Sequence, residues 1–361
     1  MQRKSKIIYK EWLFIILVWI ILFYMYYITA YWGMSDLLIE GALKDYLETW
    51  IIHFELIMGT ILFGLLFNVI NTVTDKTFIH KKSFGYIIFF KSLLYICMVF
   101  IVFIIVYGVF YIFNLGPVKN PDSIIELLSA RIVISWIVYF VFVILLINLF
   151  IQVNRKFGPG NLLNLITGKY HKPRSEYRIF MFLDLKGSTS IAERLGHKTY
   201  SQLLRNNFHD LTDVVIKYKA DIYQYVGDEV VLSWTIKDGL KTLNCIKLFF
   251  AFSNKLKKQE EFYLKHYRTF PEYKAGMDIG VVTVAEIGDI KREIAFHGDV
   301  LNTAARIQDQ CKALNKKLLI SAALEKKLPN LNGFEKEFIG EVNLRGKEKV
   351  VKIYSLDLVQ V

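Results

Sequence analysis

Two aspartates stand at the ends of expected strands. Asp184 closes the run "YRIFMFLDL", and Asp228 lies in "IYQYVGDEVVLSW" at the tip of a hairpin. Two carboxylates a few ångströms apart repel each other unless a cation lies between them. Few, hard oxygen ligands suit Mg2+ or Mn2+, which also take oxygens from substrate phosphates. Two such ions can activate a hydroxyl and steady a leaving pyrophosphate. The loop after Asp184, "LKGSTS", leads into a helix, and its backbone N–H groups offer a cradle for phosphates. In "FHGDVLNTAARIQ", Asn302 and Arg306 are four residues apart and share a helix face. Arginine is permanently charged and forks onto phosphate oxygens, while asparagine can hold a ribose oxygen. Each piece also has a plain structural reading. Asp228 suits a turn, Ser188 and Ser190 suit helix caps, and Asn302 and Arg306 suit a solvated face. The neighbours Ala304, Ala305 and Ile307 favour a helix packed closely on the protein.

These residues need a scaffold that brings distant segments together. Residues 177–185 alternate and are rich in aromatics, as a strand requires. Residues 190–219 carry apolar positions at helical spacing. Residues 222–226 and 230–234 form a hairpin around Gly227-Asp228, and 240–267 reads as a second helix. Strands follow at 273–286 and 293–297, a helix at 300–314, and a strand at 317–321. A last hairpin joins 335–344 to 350–356 around Arg345-Gly346-Lys347. Hairpins mixed with crossovers predict an α+β domain, with a mostly antiparallel sheet and flanking helices. Asp184 and Asp228 meet in one cleft if the first strand pairs beside the first hairpin.

The first part of the chain is different in kind. Of 361 residues, 54% are hydrophobic, and they crowd into residues 1–153. Four runs, 12–32, 50–73, 84–113 and 132–153, reach the roughly 20 residues needed to cross a bilayer. They predict an all-α, four-helix transmembrane domain over 1–153. The first run is too long for a signal peptide and lacks a small-residue cleavage site, so it reads as a retained anchor. Arg3, Lys4, Lys6 and Lys10 precede it, Lys76, Lys81 and Lys82 follow the second run, and Arg155 and Lys156 follow the fourth. This pattern puts both termini and the second half in the cytoplasm, with the chain a multi-pass protein of the inner (plasma) membrane. The net charge of +12 can signal nucleic acid, but the basic clusters flank apolar spans and fit anionic membrane lipid instead. His53, Glu55 and Lys91 fall inside spans, close enough to the ends to snorkel, although a sensing role for His53 and Glu55 is open. Cys97, Cys245 and Cys311 match no metal spacing and read as free buried thiols. Residues 154–176 form a linker, in which 161–166 are compatible with a short amphipathic helix.

The segments "MFLDLKGSTSIAERLG", "YQYVGDEVVLSW", "GDVLNTAARIQ" and "NLRGKEKVVKIYSL" together resemble class III nucleotidyl cyclases of the bacterial membrane-anchored type. The resemblance covers residues 177–361 nearly throughout. It implies a catalytic domain that works as a homodimer with active sites in the interface. Asp184 and Asp228, helped by the Leu185 carbonyl, take the places of the metal ligands for two Mg2+ or Mn2+ ions. Asn302 and Arg306 match the ribose-orienting and transition-state residues contributed by the partner chain. Gly187, Ser188 and Thr189 fall in the phosphate loop, and Lys347, with Arg345 as rival, falls where a phosphate-contacting lysine often lies. The implied reaction is attack of a ribose 3′-hydroxyl on the α-phosphorus of a nucleoside triphosphate, ATP in the first instance. At the base-reading positions, adenylate cyclases usually carry Lys and Asp or Thr, but this chain has Gln224 and Ala295. Gln224 can bond a purine edge, and His297 is a further candidate. GTP is therefore the alternative substrate, and a non-catalytic receptor module keeping the same fold is a third reading. A diguanylate cyclase would need Gly-Gly-Asp-Glu where this chain has Val226-Gly227.

Overall fold

The structure is a computed structural model that describes residues 2–34, 50–76, 84–113, 131–157, 164–165, 167–290, 292–342 and 350–359. It divides into two compact units, Met1–Phe157 and Gly158–Val361.

The first unit contains α1 (Gln2–Met34), α2 (Trp50–Lys76), α3 (Phe84–Ile112) and α4 (Arg131–Phe157). Each helix packs on the next. The core is aromatic: Trp19, Phe63, Phe67, Tyr95 and Phe140 are buried, and Phe67 stacks on Tyr95 at 4.5 Å. Leu13, Leu17, Ile57, Ile61, Leu93, Ile104 and Phe142 point outward. Among the described residues, Trp50–Thr74 and Gly85–Val109 are long and apolar enough to cross a membrane, while the apolar stretches Ile15–Thr29 and Val138–Ile151 are shorter.

Snorkelling does not describe Glu55 or Lys91. Glu55 is buried and accepts a hydrogen bond from Tyr107 at 3.0 Å. Lys91 is 1% exposed and donates to Asn71 Oδ1 at 2.9 Å, an oxygen it shares with Tyr95. Partners on the facing helix make burial cheaper than the flank would, because a paired polar group loses far less on leaving water. His53 is exposed, its ring stacked near Tyr24 and edge-on to Tyr27. Cys97 is exposed on α3, against the expectation of a buried thiol, whereas Cys245 and Cys311 are buried and free.

The second unit is built on an eight-stranded sheet. Its strands are β1 (Arg174–Leu185), β2 (Asp221–Val226), β3 (Glu229–Thr235), β4 (Tyr273–Ile287), β5 (Glu293–His297), β6 (Leu318–Ser321), β7 (Phe334–Val342) and β8 (Val351–Leu358). The order is β2-β3-β1-β4-β6-β8-β7, with β5 paired to β4. Among the described residues only β4 and β6 pair in parallel, which makes the sheet mixed and mostly antiparallel. β1 is central, and from Arg178 to Met181 it is buried on both faces.

Helices cover the two faces. On one, α5 (Ser188–Lys217), α7 (Asn244–Lys258) and α8 (Glu260–Tyr267) pack over Ile179, Met181, Leu183 and Leu185. On the other, α9 (Asp299–Ala313) lays Val300 and Ala304 on Phe180, Val231, Val282 and Val284. Two helices expected to be continuous are not. α5 breaks at Gly196, whose φ of 71° no helix accommodates. The stretch 236–267 becomes α6 (Ile236–Leu240), a 3-10 turn, α7 and α8, with Thr242 and Leu243 at positive φ. Four-residue α10 (Ala322–Glu325) follows β6 and is capped by Ser321.

Candidate active site

Register explains how the carboxylates meet. β1 lies antiparallel beside β3, with Leu183 opposite Val230. The next residue of β1 is Asp184, and two residues before Val230, in the β2–β3 turn, is Asp228. That turn is made by Gly227 at φ 62°. The two side chains are close enough to act on each other. Burial raises the Asp184 carboxyl above its ordinary value, Lys274 pulls it back, and the charge of Asp228 raises it again. Glu229 is pushed up to about 7, by burial first and then by Asp184 and Asp228. This is a patch of crowded, partly dehydrated negative charge.

Asp184 has two partners that the sequence does not announce. Lys274 Nζ is 3.2 Å from Asp184 Oδ2, and Gln308 Nε2 donates to the same oxygen at 3.0 Å. Lys274 is the residue directly opposite Asp184 in the β1–β4 register. Gln308 comes from the buried face of α9. Asp228 is served differently: its Oδ2 is buried and meets no hydrogen-bond donor among the described residues. A buried carboxylate oxygen without a donor is costly.

The loop between β1 and α5 is shaped by Gly187 at φ 72°, the N-cap of α5, which makes no side-chain capping bond. Ser188 is therefore not a cap. Ser190 Oγ bonds back to the Gly187 carbonyl. Near it, burial and then the charge of Asp228 push the Tyr200 hydroxyl up to about 12. Thr189 is exposed. The first turn of α5 holds no acidic side chain and its N-cap makes no side-chain capping bond.

On α9, Asn302 is exposed and Arg306 half-buried, while Ala304 and Ile307 on the other side are fully buried. Asn302 and Arg306 thus share the face turned away from the sheet, and the structure does not bring them onto Asp184 or Asp228 of their own chain. Gln224 is exposed on β2, just past a register shift against β3 between Ile222 and Gln224. Such a bulge re-aims the side chains beyond it. Ala295 is buried in β5 opposite Ala285 and presents only a methyl group, and His297 is exposed at the end of that strand. Leu185 is buried, and its carbonyl lies next in the chain to Asp184. Lys347 and Arg345 lie outside the described residues.

Divalent cations fit this donor set. Two carboxylates converge, one oxygen lacks a donor, and the surroundings are partly dehydrated. Among the described residues no cluster of three or more His, Cys, Asp or Glu forms. Mg2+-type sites need no such cage, because one or two carboxylates plus substrate phosphates suffice.

The fold and the paired carboxylates define an α+β nucleotide-cyclase domain. The family model "Adenylate and Guanylate cyclase catalytic domain" matches residues 171–357, and the chain belongs to that family, the class III cyclases. It is 34% identical to adenylate cyclase 2 of Rhizobium meliloti over 206 residues, 57% of each chain. It is 23% identical to adenylate cyclase 1 of the same organism over 181 residues, 49% of this chain and 27% of that one. The chain therefore spans about half or less of the length of these curated relatives. The solved structure of a bacterial light-regulated adenylyl cyclase superposes with a TM-score of 0.53 at 19% identity, covering 63% of this chain and 66% of that one, which shows the fold.

Proposed function

We propose that this chain is a membrane-anchored adenylate cyclase that converts ATP to cyclic AMP and pyrophosphate in a homodimer. The observation that carries this reading is the convergence of Asp184 and Asp228 at one end of the sheet, with Asp228 Oδ2 lacking a donor. Asp184, Asp228 and the Leu185 carbonyl would hold two Mg2+ or Mn2+ ions. When bound, such ions acidify the attacking hydroxyl and neutralise charge on the triphosphate.

The chain's own groups do the positioning. The N–H groups of Gly187, Ser188 and Thr189 receive phosphate oxygens at the start of α5. Lys347 adds a cation to the triphosphate. Arg306 and Asn302 face away from their own carboxylates, as expected of residues that serve a partner's site. There Asn302 orients the ribose, and Arg306 meets the charge that grows on the α-phosphate oxygens. Most of the rate then comes from alignment and fixed charge. Gln224 meets the purine edge, and Ala295 contributes only backbone and surface.

Membrane anchoring rests on the two long apolar helices, the outward apolar residues of the first unit and the basic residues at the span ends. Four spans over 1–153, a linker at 154–176 and a cytoplasmic domain over 177–361 follow from the same pattern. The second reading, GTP as substrate, is favoured by one observation. Neither Gln224 nor Ala295 supplies the usual lysine and acidic or hydroxyl pair.

The deciding experiment supplies purified full-length protein with Mn2+ and either ATP or GTP, and identifies the product by mass. Cyclic AMP formed faster than cyclic GTP supports the reading. A preference for GTP moves it to the second, and no cyclic product from either rejects both.

A further inference from the structure

Gln308 has no part in the reaction as derived above, yet it touches the one carboxylate whose orientation matters most. It is 3% exposed, so its amide has given up water, and the partner it has found is Asp184 Oδ2 at 3.0 Å. Lys274 holds the same oxygen at 3.2 Å. Two donors on Oδ2 fix the rotation of the carboxyl group and leave Oδ1 as the oxygen not claimed by either. A buried amide costs free energy unless it is bonded, and hydrogen bonds to charged groups are the strong ones. The contact is therefore a firm one.

The mounting of Gln308 is rigid. Gly276 of β4 lets α9 approach until the two backbones touch. A Cβ built on Gly276 would lie 2.2 Å from Gln308 N, 2.4 Å from the Ala304 carbonyl oxygen and 2.6 Å from Gln308 Cα. Ala304 and Ile307 are fully buried on either side of this contact. The backbone of Gln308 is thus held between β4 and its own helix.

We propose that Gln308 is a positioning residue, which sets the rotation of the Asp184 carboxylate so that one oxygen is presented to a divalent cation. The proposal rests on the metal-dependent reading of the site. Gln308 touches neither substrate nor cation. It acts through Asp184, as groups that bond a metal ligand from behind generally do, and their loss costs about 10- to 100-fold in metal affinity or activity.

The test uses the full-length protein with the inert substrate analogue α,β-methylene ATP and Mn2+ followed by electron paramagnetic resonance. Gln308→Met keeps length and bulk but removes the donor. It is expected to weaken Mn2+ binding about 10-fold or more, with a similar fall in kcat and a smaller change in KM. Gln308→Asn, which keeps an amide but is one methylene too short, serves if the methionine variant does not fold, and the same weakening is expected. Thr303→Val is the control. Thr303 lies on the same helix and, among the described residues, its hydroxyl bonds the Asp299 carbonyl rather than Asp184 or Asp228, so a change here should leave Mn2+ affinity unmoved. Wild-type Mn2+ affinity in a folded Gln308→Met protein overturns the proposal, and so does equal weakening by Thr303→Val, which would make the role merely structural. If the wild-type chain binds Mn2+ but forms no cyclic nucleotide, the cyclase reading fails while the Mn2+ comparison still decides the role of Gln308.

Discussion

Adding one methyl group at Gly276 should damage the site from a distance. The Cβ of Gly276→Ala would fall 2.2, 2.4 and 2.6 Å from three backbone atoms of α9, whereas ordinary contacts begin near 3.4 Å. Neither side can swing a side chain out of the way, so α9 must lift from β4 by about 1 Å. Overpacking of this kind costs typically 1–3 kcal/mol, and a backbone-to-backbone clash belongs at the upper end, about 3 kcal/mol. For a unit of this size that corresponds to a fall in Tm of roughly 6–12 °C. The same displacement pulls Gln308 from Asp184 and shifts Asn302 and Arg306. A misplacement of about 1 Å can cost around 100-fold in rate. Scanning fluorimetry of the detergent-solubilised full chain reads the first effect, and cyclic nucleotide formation reads the second. Gly85→Ala is the control, since a Cβ there meets nothing within 4 Å. If Gly276→Ala lowers Tm by less than about 2 °C and keeps activity within about twofold, the close seating of α9 is wrong.

Three further outcomes are expected. Asp184→Ala and Asp228→Ala should each remove cyclic nucleotide formation by about 1,000-fold or more; Asp228→Ala should leave Tm nearly unchanged, because it deletes charge from a crowded acidic patch, whereas Asp184→Ala should lower it, because buried Gln308 and Lys274 lose their partner; near-normal turnover in either contradicts the cation site. Arg306→Ala should lower kcat far more than it raises KM, and mixing it with an Asp184→Ala chain should restore part of the activity, since one composite site is whole; no rescue argues against a shared interface. Burial opposes ionisation of Glu176, but bonds from Arg178 and Tyr170 more than offset it, so its carboxyl sits below its ordinary value of about 4.3. Its stabilisation is thus present above that value and lost as pH falls through the folded one. The Tm gap between wild type and Glu176→Gln should shrink between about pH 6 and pH 3, and a gap independent of pH contradicts the linkage.

Much of the catalytic unit was legible because its signals are local. Alternation marked β1, and the hairpin around Gly227-Asp228 was placed by its turn residues. The arms of β4 and β5 and the helix of Asn302 and Arg306 were found within a residue or two. What misled was length. Nothing in apolar spacing reveals that Gly196 takes a positive φ, or that Thr242 and Leu243 do, so continuous periodicity was read across real breaks. In the first unit, position along a span suggested snorkelling for Lys91, but Asn71 and Tyr95 decided the matter from neighbouring turns and helices.

The sequence by itself determined which chemical groups are present, which elements carry them, and the family to which the chain belongs. Side-chain type and short-range periodicity are enough for that. Tertiary structure alone decided that Lys274 and Gln308 both hold Asp184 Oδ2 and that Asp228 Oδ2 is left without a donor among the described residues. Each of these depends on strand register or on how closely a helix seats on a sheet. Register and seating are fixed by the packing of residues 90 to 124 positions apart, and no window along the chain contains both partners.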